Sequence, residues 1–133
     1  MKWILDTDTC IAVIKLQSVG TLRKLRSKSV GQVGISTITL NELSFGAAKS
    51  TRQQQNLEAL QEFLLPLEIA PYDDSCAFRY GPVRAAMESK ARPIGSLDML
   101  IAAHALSIDA VLVTHNTREF SQVPGLRLED WMT

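Results

Sequence analysis

The sequence predicts an α/β fold in which a parallel sheet of four or five short strands lies between two layers of helices. Short apolar runs of strand length alternate along the chain with segments that carry apolar residues at helical spacing, as in βαβ units. The strand-like runs are hydrophobic almost throughout, which is typical of strands buried on both faces. The chain has 133 residues, a common size for one domain, so we expect 1–133 to form a single domain.

The first half of the chain predicts two strands and four helices. Residues 7–10 offer capping side chains for the first helix, and Pro66 ends the last one. The predicted elements, in order, are a strand at Trp3–Leu5, a helix that includes 11–14 and ends near Gly20, a helix over 22–28, a strand at Val33–Ser36, and helices over 39–49 and 53–65.

The second half predicts three more strands and two more helices. The elements are a strand over 67–70, a helix from Asp73 to Lys90 with a kink at Gly81 and Pro82, a loop over 92–95, a helix over 97–107 capped by Ser96, a strand over 110–114 and an edge strand over 126–128. On the first of these helices we expect Ala77, Tyr80, Val83 and Met87 to point inward. The helix over 97–107 is apolar nearly all round, which predicts that it is buried.

Composition and charge exclude several classes of protein. The formal net charge is zero, so any contact with RNA or DNA must use a local basic patch. No apolar run approaches the ~20 residues that cross a membrane, so we expect a cytoplasmic protein. Cys10 and Cys76 are too few for a disulfide scaffold, and we expect reduced thiols.

Acidic and amide side chains follow three of the predicted strands. Because ligands of open α/β sheets bind outside the carboxyl ends of the strands, these side chains can face one crevice. They are Asp6 and Asp8 after the first strand, Glu42 in the helix after the second, Asp98 in the first turn of the buried helix, and Asn116 and Glu119 after the strand over 110–114.

A divalent cation is the simplest way to stabilise converging carboxylates of this kind. Each like-charge pair at ~4 Å costs about 4 kcal/mol at an effective dielectric constant near 20. Asp6, Glu42 and Asp98 supply hard oxygen ligands, which suit Mg²⁺ or Mn²⁺ better than Zn²⁺. Carboxylate-bound Mg²⁺ can activate water for phosphodiester cleavage.

Each residue also has a purely structural interpretation. Thr39 and Glu42 match a capping box, Asp98 could stabilise its helix dipole, and Asn116 could be a turn residue. Two other functions stay open at this point. Asp6-x-Asp8 could begin a haloacid-dehalogenase-type phosphatase motif, although Cys10 stands where that motif has Thr or Val. The acidic crevice could instead be a docking site for a basic partner segment.

Four segments and the C-terminal ending form a specific pattern. The segments are Leu5-Asp6-Thr7-Asp8, Thr39-Leu40-Asn41-Glu42-Leu43-x-x-Gly46, Ile94-Gly95-x-x-Asp98-x-Leu100-Ile101-Ala102-Ala103-His104-Ala105 and Val113-Thr114-x-Asn116-x-x-Glu119-Phe120, with Val123-Pro124-Gly125-Leu126-x-x-Glu129-Asp130-Trp131 as the ending. In order and spacing the four segments resemble VapC-type PIN-domain toxins, and the ending resembles their enteric branch.

The resemblance implies a PIN-like three-layer α/β/α sandwich and a Mg²⁺-dependent endoribonuclease of a type II toxin–antitoxin pair. It implies a homodimer inhibited by a VapB-type antitoxin, and initiator tRNA as the substrate. The family's acidic site maps to Asp6, Glu42 and Asp98, with Asn116 in the place of a fourth member that is often acidic. Asp8 and Glu119 would have supporting roles.

Other polar residues have weaker assignments. His104 is predicted to be a hydrogen-bonded core residue, whereas His115 could contact RNA or lie in solvent. Lys90, Arg92 and Arg118 flank the acidic segments and are our candidates for phosphate contacts. The stripe of Leu57, Leu60, Phe63 and Leu64 predicts core packing, and part of it could form a groove for an antitoxin helix.

Overall fold

The computed structural model describes residues 1–90 and 94–132, and within them five short strands form one parallel sheet. The elements are β1 (Trp3–Leu5), α1 (Thr7–Ile14), α2 (Val19–Arg26), β2 (Val33–Ser36), α3 (Thr37–Lys49), α4 (Gln53–Leu64), β3 (Glu68–Ala70), α5 (Asp74–Glu88), α6 (Ser96–Ser107), β4 (Val111–Val113), α7 (Thr117–Phe120) and β5 (Leu128–Glu129). The predicted α/β class and parallel sheet are confirmed.

The strand order β3-β2-β1-β4-β5 places β1 at the centre of the sheet. From β1 the chain adds β2 and then β3 on one side, and later adds β4 and then β5 on the other. The order therefore reverses between β1 and β4. In open α/β sheets such a reversal leaves a crevice at the carboxyl ends of the two strands, where ligands bind.

The sheet is buried on both faces. Neighbouring residues of the central strands point to opposite sides, and each side packs against helices. Ile4 and Leu112 belong to one core cluster, which includes side chains of α5 and α6. Leu5 and Val113 belong to a second cluster, which includes side chains of α1, α3 and α4. This alternation makes the three-layer arrangement that the apolar runs predicted.

Several predicted boundaries are wrong. α1 ends at Ile14, not near Gly20, because the backbone at Leu16 turns into the left-handed region with φ 56°. The Ser18 hydroxyl then accepts a hydrogen bond from the Thr21 amide and caps α2. Gly95 rather than Ser96 is the N-cap of α6. The short helix α7 was not predicted, and β5 lies one to two residues later than expected.

Side-chain burial confirms most of the predicted core. Val83 and Met87 of α5 are buried, but Ala77 is exposed and the adjacent Cys76 faces the core instead. In α4, Leu60 is buried, Phe63 and Leu64 pack partly against the core, and Leu57 is exposed. Helix α5 includes both Gly81 and Pro82.

Cys10 and Cys76 are free cysteines, and the side chains of both are buried. None of the helices in the described ranges has the length and apolar character needed to cross a membrane.

Candidate active site

Four acidic side chains line one crevice of about 400 Å³ at the carboxyl end of β1. Asp6 and Asp8 come from the start of α1, Glu42 comes from α3 and Asp98 comes from α6. The remaining lining residues are Thr7, Gly95, Ser96 and Leu97. The structure thus brings together the three carboxylates predicted from strand-end positions, with Asp8 beside them.

Asp6 is buried and fixed at both carboxylate oxygens. It is the N-cap of α1, where Oδ1 accepts a hydrogen bond from the Thr9 amide at 2.9 Å. Oδ2 accepts a 2.6 Å hydrogen bond from the hydroxyl of Thr114, which directly follows β4. Burial raises the pKa of Asp6, while these hydrogen bonds act in the opposite direction because they stabilise the ionised form.

Glu42 lies in the second turn of α3, and the predicted capping box with Thr39 is wrong. The helix begins at Thr37, and the Ser36 hydroxyl caps it by accepting a hydrogen bond from the Ile38 amide at 3.0 Å. Glu42 Oε1 instead accepts a 2.7 Å hydrogen bond from the hydroxyl of Thr7. Its carboxylate is therefore held toward the crevice by α1.

Asp98 lies in the first turn of α6 and is only partly exposed. Its pKa is raised from 3.8 to about 6, and burial is the largest cause. Four neighbouring carboxylates raise it further by repulsion, namely Asp6, Asp8, Glu42 and Glu119. Stabilisation by the helix dipole alone would lower the pKa of a carboxyl group at this position, so burial and the neighbouring carboxylates together outweigh the dipole.

Asn116 and Glu119 lie beside the crevice and are linked to it through Thr114. The Asn116 amide nitrogen Nδ2 donates to Glu119 Oε2 at 2.9 Å. The Asn116 backbone N–H donates at 2.9 Å to the same Thr114 hydroxyl that holds Asp6. Neither residue lines the crevice itself, but the charge of Glu119 contributes to the raised pKa of Asp98.

The donor set suits a hard divalent cation, although the side chains do not already surround one. Asp6, Glu42 and Asp98 offer carboxylate oxygens of the kind that bind Mg²⁺, and their mutual repulsion favours a bound positive charge. Within residues 1–90 and 94–132, no three His, Cys, Asp or Glu side chains are close enough together to form a complete site.

The two histidines have different surroundings. His104 is buried, its Nδ1 lies 2.8 Å from Ser36 Oγ, and burial lowers its pKa, so the prediction of a hydrogen-bonded core histidine is confirmed. His115 is exposed and its Nδ1 lies 2.9 Å from Asp130 Oδ2. This contact attaches the C-terminal segment to the loop that carries Asn116.

Lys90 and Arg118 are exposed side chains at the end of α5 and on α7. Arg92, the third predicted phosphate contact, lies outside the described residues. The assignment of all three to RNA binding stays a prediction.

Sequence reasoning missed the two hydroxyl groups that hold the site. The sequence pattern marks Thr7 as a capping residue and Thr114 as the end of a strand, but their hydroxyls donate to Glu42 and Asp6. The available signal was a hydroxyl residue within two positions of a predicted strand-end acid or amide, Thr7 after Asp6 and Thr114 before Asn116. That signal is weak, because Thr is common at strand ends and helix starts for structural reasons.

A family model described as the PIN domain matches residues 3–126. The tRNA(fMet)-specific endonuclease VapC of Salmonella typhimurium is 41% identical over 98% of this chain and 98% of its own length. Ribonuclease VapC2 of Rickettsia felis is 39% identical, also over 98% of both chains.

This chain is also similar to solved structures of VapBC complexes. A chain from the crystal structure of VapBC2 from Rickettsia felis, bound to a DNA fragment from its promoter, superposes with a TM-score of 0.93. It has 38% identity and covers 98% of this chain and 99% of that chain. DNA-bound VapBC from Salmonella typhimurium gives 0.92 with 41% identity over 98% of both chains. These relatives support neither the phosphatase nor the docking-module interpretation.

Proposed function

The chain belongs to the PIN-domain family, and we propose that it is the toxin of a VapBC-type toxin–antitoxin pair, a divalent-metal-dependent endoribonuclease that cleaves tRNA. The observation that carries this proposal is the crevice at the reversal of strand order, where four carboxylates lie together and the pKa of Asp98 is raised to about 6. The initiator tRNA, named for the Salmonella relative, is our specific substrate candidate. Since tRNA is a cytoplasmic substrate, we expect the protein to act in the cytoplasm.

Asp6, Glu42 and Asp98 are the residues that we assign to the metal, which we expect to be Mg²⁺, with Mn²⁺ as a substitute. Such an ion supplies Lewis-acid stabilisation of the scissile phosphate and lowers the pKa of water for attack. Asn116 completes the catalytic set by orienting Glu119, with which it shares a hydrogen bond. Asp8 and Glu119 add negative charge at the rim, which strengthens attraction for a cation.

The protein's own groups prepare the site in two ways. The Thr9 amide and the Thr114 hydroxyl stabilise the ionised form of Asp6 against the effect of burial. The carboxylates also repel a polyanionic substrate until a cation neutralises them, so RNA is expected to bind productively only with metal present. Lys90, Arg92 and Arg118 are our candidates for contacts to RNA phosphates on either side of the crevice.

The deciding experiment is cleavage of total tRNA by antitoxin-free protein, with and without EDTA. We expect cleavage by the wild type with Mg²⁺, and a loss of at least about 10³-fold in EDTA and in Asp6→Ala and Asp98→Ala, because the cation supplies most of the charge stabilisation. Asp74→Ala removes an exposed carboxylate from the first turn of α5 and should retain full activity. Cleavage that persists in EDTA, or in either site variant, contradicts the metal site.

The same assay tests the phosphate contacts. Alanine at Lys90, Arg92 and Arg118 together should weaken tRNA binding and reduce the slope of its salt dependence, because fewer phosphate contacts release fewer counterions. Unchanged affinity and slope would remove these residues from the RNA interface.

We place the antitoxin on an apolar groove of about 700 Å³ between α1, α2 and α4. Leu22, Leu25 and Phe63 line it together with Arg26 and Lys28, which suits an amphipathic segment that carries acidic residues. The VapBC complexes among the structural neighbours support such a partner. We also expect the toxin to be a homodimer.

Val30→Asp tests this placement, because Val30 lines the groove and its side chain is 88% exposed. We expect weaker binding of the VapB-type antitoxin with unchanged cleavage of tRNA. Leu65→Asp is the matched control, since Leu65 is 82% exposed and is not part of the groove lining. Equal affinities of the two variants for the antitoxin would show that the antitoxin does not bind in this groove.

A further inference from the structure

We propose that Thr7 is a positioning residue for the metal site: its hydroxyl holds Glu42 ready for the divalent cation and thereby sets the metal affinity. Thr7 is the first residue of α1 and directly follows Asp6. Its hydroxyl oxygen lies 2.7 Å from Glu42 Oε1. This inference rests on the metal site proposed above.

The short distance indicates a charge-assisted hydrogen bond, which is stronger than a bond between neutral groups. A hydroxyl has one proton, and the other oxygen near Thr7, that of Thr39, is more distant at 3.4 Å. We therefore assign the proton to the bond with Glu42. Thr39 is fully buried and lies one helical turn before Glu42 on α3, so Thr7 contacts two successive turns of that helix.

The contact fixes a side chain that is otherwise difficult to place. Glu42 is joined to its helix through three rotatable bonds, and without a partner it would lose that freedom only when the metal binds. The bond engages Oε1, which leaves Oε2 for a cation.

Asp6 and Glu42 are thus held by the same device. The Thr114 hydroxyl donates to Asp6 from the end of β4, and the Thr7 hydroxyl donates to Glu42 from the start of α1. Because Thr7 is adjacent to Asp6 in the chain, its bond to α3 also ties the Asp6 backbone to the helix that carries Glu42. The two carboxylates are therefore positioned relative to each other before metal enters.

Two variants separate the hydroxyl from the side-chain volume. Thr7→Val keeps the size and β-branching but removes the donor, whereas Thr7→Ser keeps the donor and removes a methyl group. Loss of a group that orients a metal ligand typically lowers metal affinity about 10- to 100-fold. We expect Thr7→Val to weaken Mn²⁺ binding by about tenfold and Thr7→Ser to bind Mn²⁺ with nearly wild-type affinity.

Mn²⁺ binding is measured by isothermal titration calorimetry on the antitoxin-free protein, in parallel with tRNA cleavage over a range of metal concentrations. Thr7→Val should require more metal for half-maximal cleavage. Its kcat at saturating metal should stay within about threefold of the wild type, because the lost hydroxyl orients a metal ligand and takes no part in the chemical step. In a Glu42→Gln background, Thr7→Val should have a much smaller effect on Mn²⁺ affinity than in the wild type.

Each outcome decides the matter. Equal Mn²⁺ affinities of wild type and Thr7→Val, or equal losses in Thr7→Val and Thr7→Ser, overturn the role of the hydroxyl. An effect of Thr7→Val on melting temperature with unchanged Mn²⁺ affinity also overturns it, because the role would then be structural. If the affinities change as expected but no RNA is cleaved, the nuclease proposal fails while the positioning role stands. Absence of Mn²⁺ binding to the wild type rejects both.

Discussion

Asp98 and Glu129 are both partly buried carboxylates, but their surroundings shift their pKa values in opposite directions. The pKa of Asp98 is raised to about 6 by burial and by four neighbouring carboxylates. The pKa of Glu129 is lowered, chiefly by its hydrogen bond from Trp131 and with contributions from Trp3 and Lys28. One carboxylate is surrounded by like charge and the other by donors.

The geometry around Glu129 satisfies both of its oxygens. The indole N–H of Trp131 donates to Oε1 at 2.9 Å, and that of Trp3 donates to Oε2 at 3.3 Å. Lys28 Nζ lies 4.1 Å from the centre of a Trp3 ring and so adds a cation–π contact. The cluster joins β1 to Trp131, and both oxygens of its carboxylate accept hydrogen bonds.

The difference supports our proposal that the Asp98 cluster, and not the Glu129 cluster, binds a ligand. A carboxylate that serves the fold gains partners and becomes easier to ionise, as Glu129 does. A carboxylate among other carboxylates is harder to ionise, as Asp98 is, and we expect this of a group that binds a cation. Strongly raised pKa values among clustered acids in a crevice are therefore typical of functional sites.

The largest effect that we expect to distinguish Asp98 from Glu129 is the stabilisation of the folded protein by a bound metal ion. Mg²⁺ binds the folded state, and at 100 times its dissociation constant it should stabilise the protein by about 2.7 kcal/mol. Asp98→Asn removes a proposed ligand and should lose this gain, whereas Glu129→Gln should keep it. Melting temperatures with and without Mg²⁺ measure the effect, and Ca²⁺-free buffer with EDTA gives the reference.

An equal Mg²⁺ response in the wild type and Asp98→Asn would break the contrast, since the acidic cluster would then have no ligand to explain it. Loss of the response in Glu129→Gln would show that the Trp3 cluster also contributes to the metal site.

Much of this arrangement could be predicted because it follows from local rules. Strand-length apolar runs located β1, β2 and β4, and the rule that ligands bind at the carboxyl ends of strands then selected Asp6, Glu42 and Asp98. The one-turn spacing of Asn116 and Glu119 likewise placed two residues that prove to be hydrogen-bonded.

The interactions that hold these residues could not be predicted, because they depend on tertiary packing. Thr7 reaches Glu42 only because α1 packs beside α3, across 35 positions of sequence. Ser36 and Thr39 are both good capping residues, but Ser36 caps α3, whereas Thr39 is buried inside the helix next to Thr7. Local patterns supply candidates, and packing selects among them.

The smallest expected effect is on stability without metal, where the two carboxylates should give opposite signs. A raised carboxyl pKa means that the folded state holds the proton more tightly than the unfolded chain, so ionised Asp98 destabilises the fold above pH 6. The shift from 3.8 to about 6 corresponds to roughly 3 kcal/mol, which solvent screening at this half-exposed site reduces to about 1 kcal/mol. Asp98→Asn should therefore raise the melting temperature by about 4 °C at pH 7.5, and the gain should fade as pH falls from 6 toward 4.

Glu129→Gln should lower the melting temperature at pH 7.5, because Gln offers only one acceptor oxygen. One of the two indole N–H donors would then face the NH₂ group and lose its hydrogen bond. The lowered pKa of Glu129 means that its contribution is present above the ordinary pKa of 4.5 and is lost as pH falls through the folded value. Thermal denaturation of both variants in EDTA from pH 4 to pH 8 measures the two signs. A fall in melting temperature for Asp98→Asn at pH 7.5 would mean that ionised Asp98 stabilises the fold, and the acidic cluster would then have a structural role instead of a ligand-binding one.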